Sequence, residues 1–234
     1  MQIWPGLLQE KLSIIGNMHL SRTTAQILTG SRGWDWGPVL MTCGPWRAVR
    51  LETSYARISD MRVDYDLNEF LDDVVVRVAV STERSSETDV KIAIRSDKDL
   101  IFEKTATVDS KGFAKADFHI SQPKLWYPHG YGEQSLYTCE AVLVLNGHDV
   151  QSCSRRIGFR RGELVQEPDE IGKTFFFRIN GIDVFCGGSC WIPADSFTPR
   201  ITKERYQSWL QTMVDGYQVM IRYVRPPVYV WIIN

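Results

Sequence analysis

The residues best suited to chemistry lie in one short stretch, Gly33-Trp34-Asp35-Trp36-Gly37-Pro38. Two indoles flank one carboxylate, and a glycine stands on each side. An indole face offers stacking for the C–H face of a sugar ring, and a carboxylate accepts hydrogen bonds from its hydroxyls. The same composition suits a tight turn whose indoles fill a sandwich core, and composition by itself favours the turn. The remaining reactive residue types are scattered. Five cysteines, Cys43, Cys139, Cys153, Cys186 and Cys190, are odd in number and irregular in spacing. Cys186 and Cys190 have no histidine at zinc-ligand spacing, so buried reduced thiols are expected, with no metal and no other cofactor.

At 234 residues the chain is long enough for one to two domains and a sizeable core. Its 27 basic and 28 acidic residues leave a net charge of −1. That balance gives no electrostatic footprint for nucleic acid or for an anionic membrane surface. No apolar run approaches the length of a bilayer span. The first residues lack a basic leader, with Glu10 and Lys11 following the Leu7-Leu8 pair, and no Asn-x-Ser/Thr sequon occurs. A cytoplasmic chain is expected on those grounds.

The elements that must position such residues are mostly strands. Val39–Thr42 and Arg47–Leu51 flank Gly44-Pro45 as two short strands would. Val74, Val76, Val78 and Val80 alternate with other residues, as do Val90, Ile92 and Ile94, and Ala114, Ala116, Phe118 and Ile120. Period two with one apolar face predicts half-buried strands. Leu136–Leu145 runs into Asn146-Gly147, a strong hairpin signal, with Ser152–Phe159 as its return strand. Strands at this spacing over about 100 residues predict an immunoglobulin-like sandwich. Thr174–Ile179 and Asp183–Phe185 flank a second hairpin turn, Asn180-Gly181. Trp191-Ile192-Pro193 ends a further strand. A helix follows, capped by Thr202, with Glu204 in its first turn and Gly216 past its end. Tyr206, Trp209, Leu210, Met213 and Val214 mark one face of it. Val219–Ile221 reads as a short buried strand, so the chain closes on a strand–helix–strand unit.

Taken together, these motifs resemble glycoside hydrolase family 2, and within it the β-mannosidase branch. The resemblance rests on Gly33–Leu40 followed by Gly44-Pro45-Trp46-Arg47, on Leu125-Trp126-Tyr127-Pro128-His129-Gly130-Tyr131-Gly132-Glu133-Gln134, on Arg156–Arg160, on Phe177–Gly181 and on Trp191–Phe197. It runs from about Gly33 to Arg222. The implied fold is mainly β, in three parts. Residues 1–57 would hold an unmatched N-terminal segment and the tail of a jelly-roll (galactose-binding-like) domain. Residues 58–162 would form the immunoglobulin-like β-sandwich. Residues 163–234 would be the truncated start of a (β/α)8 barrel, with an unmatched tail over 223–234.

The resemblance implies a retaining exo-β-mannosidase whose partner is a glycan bearing terminal β-mannose. It implies substrate contact by Asp35 and Trp34, with Trp191 at the end of the first barrel strand. Trp126, Tyr127 and Tyr131 would pack domains together, His129 would be a loop residue, and Arg178 and Arg222 would help close the barrel entry. Retaining hydrolysis needs two carboxyl groups about 5–5.5 Å apart. The family's two glutamates lie on later barrel strands, and none of Glu163, Glu167, Asp169, Glu170, Asp195 or Asp215 stands at a catalytic position. After Met220-Ile221-Arg222 the text departs from the family pattern, with Pro226-Pro227 where a glycine run is usual. The expectation is therefore a chain that does not turn over by itself. The alternative is a non-catalytic β-sandwich or carbohydrate-binding module.

Overall fold

The computed structural model describes residues 11–15, 49–83, 88–192, 194–195, 198–223 and 229–232. Trp34, Asp35 and the expected strand at Val39–Thr42 lie outside the described residues. In chain order the strands are β1 (Lys11–Ile15), β2 (Arg50–Ser54), β3 (Ile58–Leu67), β4 (Asp73–Thr82), β5 (Thr88–Ser96), β6 (Asp99–Thr107), β7 (Phe113–Ser121) and β8 (Tyr137–Leu145). There follow β9 (His148–Ile157), β10 (Gly162–Val165), β11 (Phe176–Ile179), β12 (Ile182–Val184), β13 (Gly188–Trp191), helix α1 (Lys203–Asp215), β14 (Met220–Tyr223) and β15 (Tyr229–Ile232). The chain divides into two units. One spans Ala56–Gly188 with Tyr217–Met220 and Ile232–Asn234; the other holds Met1–Tyr55, Ser189–Gly216 and Ile221–Trp231.

The first unit is built on two antiparallel sheets, in the orders β3-β4-β7 and β6-β5-β8-β9. This is the immunoglobulin-like sandwich that the alternation calls for. Val74, Val76, Val78 and Val80 of β4 face Val90, Ile92 and Ile94 of β5 and Cys139, Ala141 and Leu143 of β8 in one buried core. Each of the valine, isoleucine and leucine side chains contributes about 1.5–3 kcal/mol when fully buried. Arg77, between Val76 and Val78, is exposed and pairs with Asp66 of β3, and Arg62–Asp64 is a second exposed ion pair on β3. Exposed pairs of this kind add about 0–1 kcal/mol each, so the apolar face sets the fold.

Two details differ from the sequence expectation. β6 has no alternation: Leu100, Ile101 and Phe102 are consecutive, and every residue of the strand but Ala106 is exposed. It is an edge strand paired to β5, and an edge needs no second apolar face. The return strand β9 begins at His148 rather than Ser152. Asn146 at φ 51° and Gly147 at φ 79° make a two-residue turn, so pairing with β8 resumes at once.

A third sheet in the same unit runs β10-β11-β12, all antiparallel. Its hairpin turns at Asn180-Gly181, where Asn180 has φ 51°. Ile179, Val184 and Val219 form a small buried cluster with Tyr131 and Cys186 packed against it.

In the other unit β1 pairs antiparallel with β2, from Lys11↔Ser54 to Ile15↔Arg50. A three-stranded sheet runs β13-β14-β15. Helix α1 lies between β13 and β14 in the chain. Thr202 caps it, its side chain accepting from the Arg205 N–H at 3.3 Å. At the other end the Gly216 N–H donates to Thr212, but the left-handed residue is Tyr217 at φ 54°. None of the residues of α1 is buried: on its apolar face Tyr206, Trp209 and Leu210 are 39%, 40% and 38% exposed. Among the described residues the strand–helix–strand unit closes no barrel.

Candidate functional site

The loop Leu125–Gln134 is the best-defined feature that the sequence motifs single out. It leaves the sandwich after β7 and closes on itself. The Tyr127 N–H donates to Glu133 at 2.9 Å, the Tyr131 N–H donates to Pro128 at 3.0 Å, and Trp126 bridges Gln134. Pro128 and Trp126 are buried. The loop is tied to the segment between β9 and β10: Leu125 bridges Phe159, and the Trp126 N–H donates to the Phe159 carbonyl at 2.9 Å.

The Phe159 ring is fully buried between Tyr65 and Tyr137, with ring centroids 5.2 and 4.7 Å away. The Tyr65 hydroxyl caps this corner. It lies 3.2 Å from the Gly158 carbonyl and 3.1 Å from that of Arg160, and it accepts from the Arg160 N–H at 3.3 Å. Arg160 in turn lays its guanidinium 4.7 Å from the Trp126 ring centre. A cation over an indole adds about 0.5–1 kcal/mol at an exposed site. Gly158 is required by close approach: a Cβ there would sit 2.8 Å from Cβ of Trp126.

Asn180 joins this loop to the β11–β12 hairpin. It is 7% exposed. Its Nδ2 donates to the Trp126 carbonyl at 3.0 Å, and its Oδ1 accepts from the Arg161 N–H at 2.8 Å. Its own N–H donates to the Arg161 carbonyl at 2.9 Å. Both ends of the carboxamide are thus used, as burial demands. Tyr131 makes a second tie, its hydroxyl accepting from the Phe185 N–H at 2.8 Å. Through the Trp126 carbonyl and the Tyr131 hydroxyl the loop is a clamp between the sandwich and the β10-β11-β12 sheet, while Tyr127 bonds within the loop. His129 is half-buried within it.

The other sequence-marked residues are distributed elsewhere. Trp191 stacks on Tyr206 with ring centres 5.9 Å apart and meets Trp209 edge-on at 5.7 Å. Arg205 lies 5.5 Å from the Trp209 ring centre. Arg178 forms a two-toothed pair with Asp183 across the hairpin, at 2.5 and 3.2 Å. That bond holds the Asp183 carboxyl below the usual aspartate range. Arg222 reaches the Cys190 sulfur at 3.8 Å, and Asp195, 14% exposed, lies 3.5 Å from Arg200.

Among the described residues the remaining polar groups do not assemble into a reactive centre. His119 and Ser121 both bond Asp73, at 2.6 and 3.2 Å, on the open face of the sandwich. A nucleophile and its base must touch each other, whereas here the carboxylate stands between them. Among the described residues no group of three or more His, Cys, Asp and Glu side chains could hold a metal ion. Nor is any described helix long and apolar enough to cross a membrane. Burial pushes the Cys139 thiol up to about 11 and raises those of Cys153 and Cys186.

Sequence reasoning did not anticipate the carboxamide of Asn180 or the hydroxyl of Tyr65. The Asn-Gly turn already accounts for an asparagine at position 180, so its side chain raises no second signal.

A β-sandwich clamped onto a small antiparallel sheet within one unit is the class of protein that this fold defines. Residues 56–160 match the family model for Glycosyl hydrolases family 2. It is 46% identical over 194 residues to Beta-mannosidase B of Aspergillus niger and 43% identical over 192 residues to that of Aspergillus clavatus, in each case 81% of this chain and 23% of the relative. Among solved structures it resembles the beta-D-mannosidase of Dictyoglomus thermophilum, with 35% identity and a TM-score of 0.75 over 89% of this chain and 26% of that one. A beta-glucuronidase of Parabacteroides merdae, 20% identical with a TM-score of 0.64 over 78% of this chain and 23% of that one, shares the fold. The chain spans 23% of the length of the curated relatives it matches.

Proposed function

We propose that this chain carries the mounting region of a retaining exo-β-mannosidase, which releases terminal non-reducing β-D-mannose from β-mannosides, N-glycans or mannan. The observation that carries the reading is the clamp. The family-signature loop Leu125–Gln134 is locked by Asn180 and Tyr131 onto the hairpin that leads to β13. Such a lock serves a protein whose sugar contacts must be held in register with a following catalytic domain. Names of relatives at 43–46% identity supply the sugar. In this reading Asp35 and Trp34 contact the terminal sugar and Trp191 lies at the edge of its site. The acid/base and nucleophile carboxylates are none of those in these residues, so the chain by itself binds glycan at most.

The test is release of nitrophenol from aryl β-D-mannoside, β-D-galactoside and β-D-glucuronide. Two proteins are compared: this chain, and a chimera in which residues 33–222 replace the matching region of the Aspergillus niger relative. The expected result is no turnover by the chain and mannoside-selective turnover by the chimera. Turnover by the chain, or a folded chimera without mannoside preference, would overturn the proposal.

A further inference from the structure

After β12 the chain turns tightly. The Gly187 N–H donates to the Phe185 carbonyl at 2.9 Å, two residues back. That turn aims the Gly187 carbonyl at the far segment, where it accepts from Val219 at 2.8 Å and from Met220 at 3.2 Å. At the next residue the two backbones run so close that a Cβ on Gly188 would collide with the Met220 carbonyl. Pairing of β13 with β14 therefore starts at one carbonyl and one glycine, and both depend on the turn that precedes them.

One side chain from the sandwich loop holds the turn. The Tyr131 hydroxyl accepts the Phe185 N–H at 2.8 Å, and its ring packs on Ile179, Val184 and Val219. The Phe185 side chain does not anchor the turn, being 83% exposed. We infer that Tyr131 is a positioning residue: through the Phe185 N–H it fixes where β13 and β14 begin to pair. These are the strands that carry Trp191 and Arg222. Any consequence for sugar contact rests on the function proposed above. The coupling does not, because it is a property of the backbone.

The ring and the hydroxyl have separable roles. Tyr131→Phe keeps the packing and removes only the acceptor. If the hydroxyl sets the turn, losing it frees the Gly187 carbonyl to wander, and the Val219 and Met220 bonds open more often.

The experiment is native-state amide exchange on the full chain and its Tyr131→Phe variant. The expected result is tenfold or more faster exchange at Phe185, Val219 and Met220, with Val76 and Ile92 unchanged. A second variant, Gly188→Ala, blocks pairing directly and is expected to accelerate Val219 and Met220 while leaving Phe185 protected. Exchange at Val219 and Met220 within twofold of the parent in Tyr131→Phe would overturn the inference. So would equal acceleration at Val76 and Ile92, because that is general loss of stability. Neither readout uses turnover, so failure here and failure of the mannosidase reading are told apart.

Discussion

Asn180 holds the backbone of Trp126 with its side chain, Nδ2 to carbonyl at 3.0 Å, across 54 positions of sequence. The same carboxamide takes the Arg161 N–H at 2.8 Å. One residue thus fastens the signature loop, the strand exit and the hairpin at a single point. Asn180→Gly keeps the left-handed turn and removes only the carboxamide. It is expected to destabilise the chain by about 2 kcal/mol, since each buried group left unpaired costs about 1–3 kcal/mol. Urea unfolding followed by circular dichroism checks this. A loss below about 0.5 kcal/mol, the range of an uninvolved surface change, would mean that the carboxamide does not fasten the corner.

Gly158→Ala is expected to shift the Trp126 indole, because the new methyl would lie 2.8 Å from Trp126 Cβ and 2.9 Å from its Cγ. Overpacking of this kind costs about 1–3 kcal/mol. The Arg160 guanidinium over the ring should move with it. Indole fluorescence and the chemical shift of the Arg160 side chain report the change. An unaltered spectrum would show that the corner has room to spare.

The fold was legible wherever chemistry and period coincide. Val74 to Val80 alternate because one face of β4 is buried, and the two Asn-Gly turns announce themselves by residue type. β6 was not legible, since Leu100, Ile101 and Phe102 sit on an edge where no alternation is imposed. The helix face with Tyr206 and Trp209 was readable, but its partner was not: a period names the residues on a face and not what they meet, here Trp191. Asn180 shows the same limit, because turn chemistry explained it before packing could. Trp34 and Asp35 lie outside the described residues, so that part of the candidate site stands on sequence resemblance.

Thiol reactivity should follow burial. Cys190 is exposed, Cys153 and Cys186 are half-buried, and Cys139 is buried with its thiol pushed up to about 11. Alkylation at pH 8 followed by peptide mass spectrometry is expected to label Cys190 first and Cys139 last among these four, because the thiolate is the reacting form. Early labelling of Cys139 in the native chain would contradict the burial of β8.

Acid should loosen the hairpin of β11 and β12. The Asp183 carboxyl is held down by its bond from Arg178, and the Asp109 carboxyl is held down by the N–H groups of Phe113 and Lys111. A group lowered on folding contributes stability above its unfolded value, near 4, and loses it as pH falls through the folded value. Melting temperature is expected to fall as pH drops below about 4, and to fall less in Asp183→Asn. An equal fall in parent and variant would remove the Arg178–Asp183 pair from the cause.

The clamp makes one claim that differs from the sequence expectation. Sequence places the sandwich boundary at 162. With Asn180 and Tyr131 fastened to the loop, the unit runs from Ala56 to Gly188. Limited proteolysis of the intact chain, with fragment masses read by mass spectrometry, decides between them. The expected product is a resistant fragment whose C-terminal end lies near residue 188. A resistant fragment ending between 160 and 166, with the β11–β12 hairpin removed, would contradict the clamp.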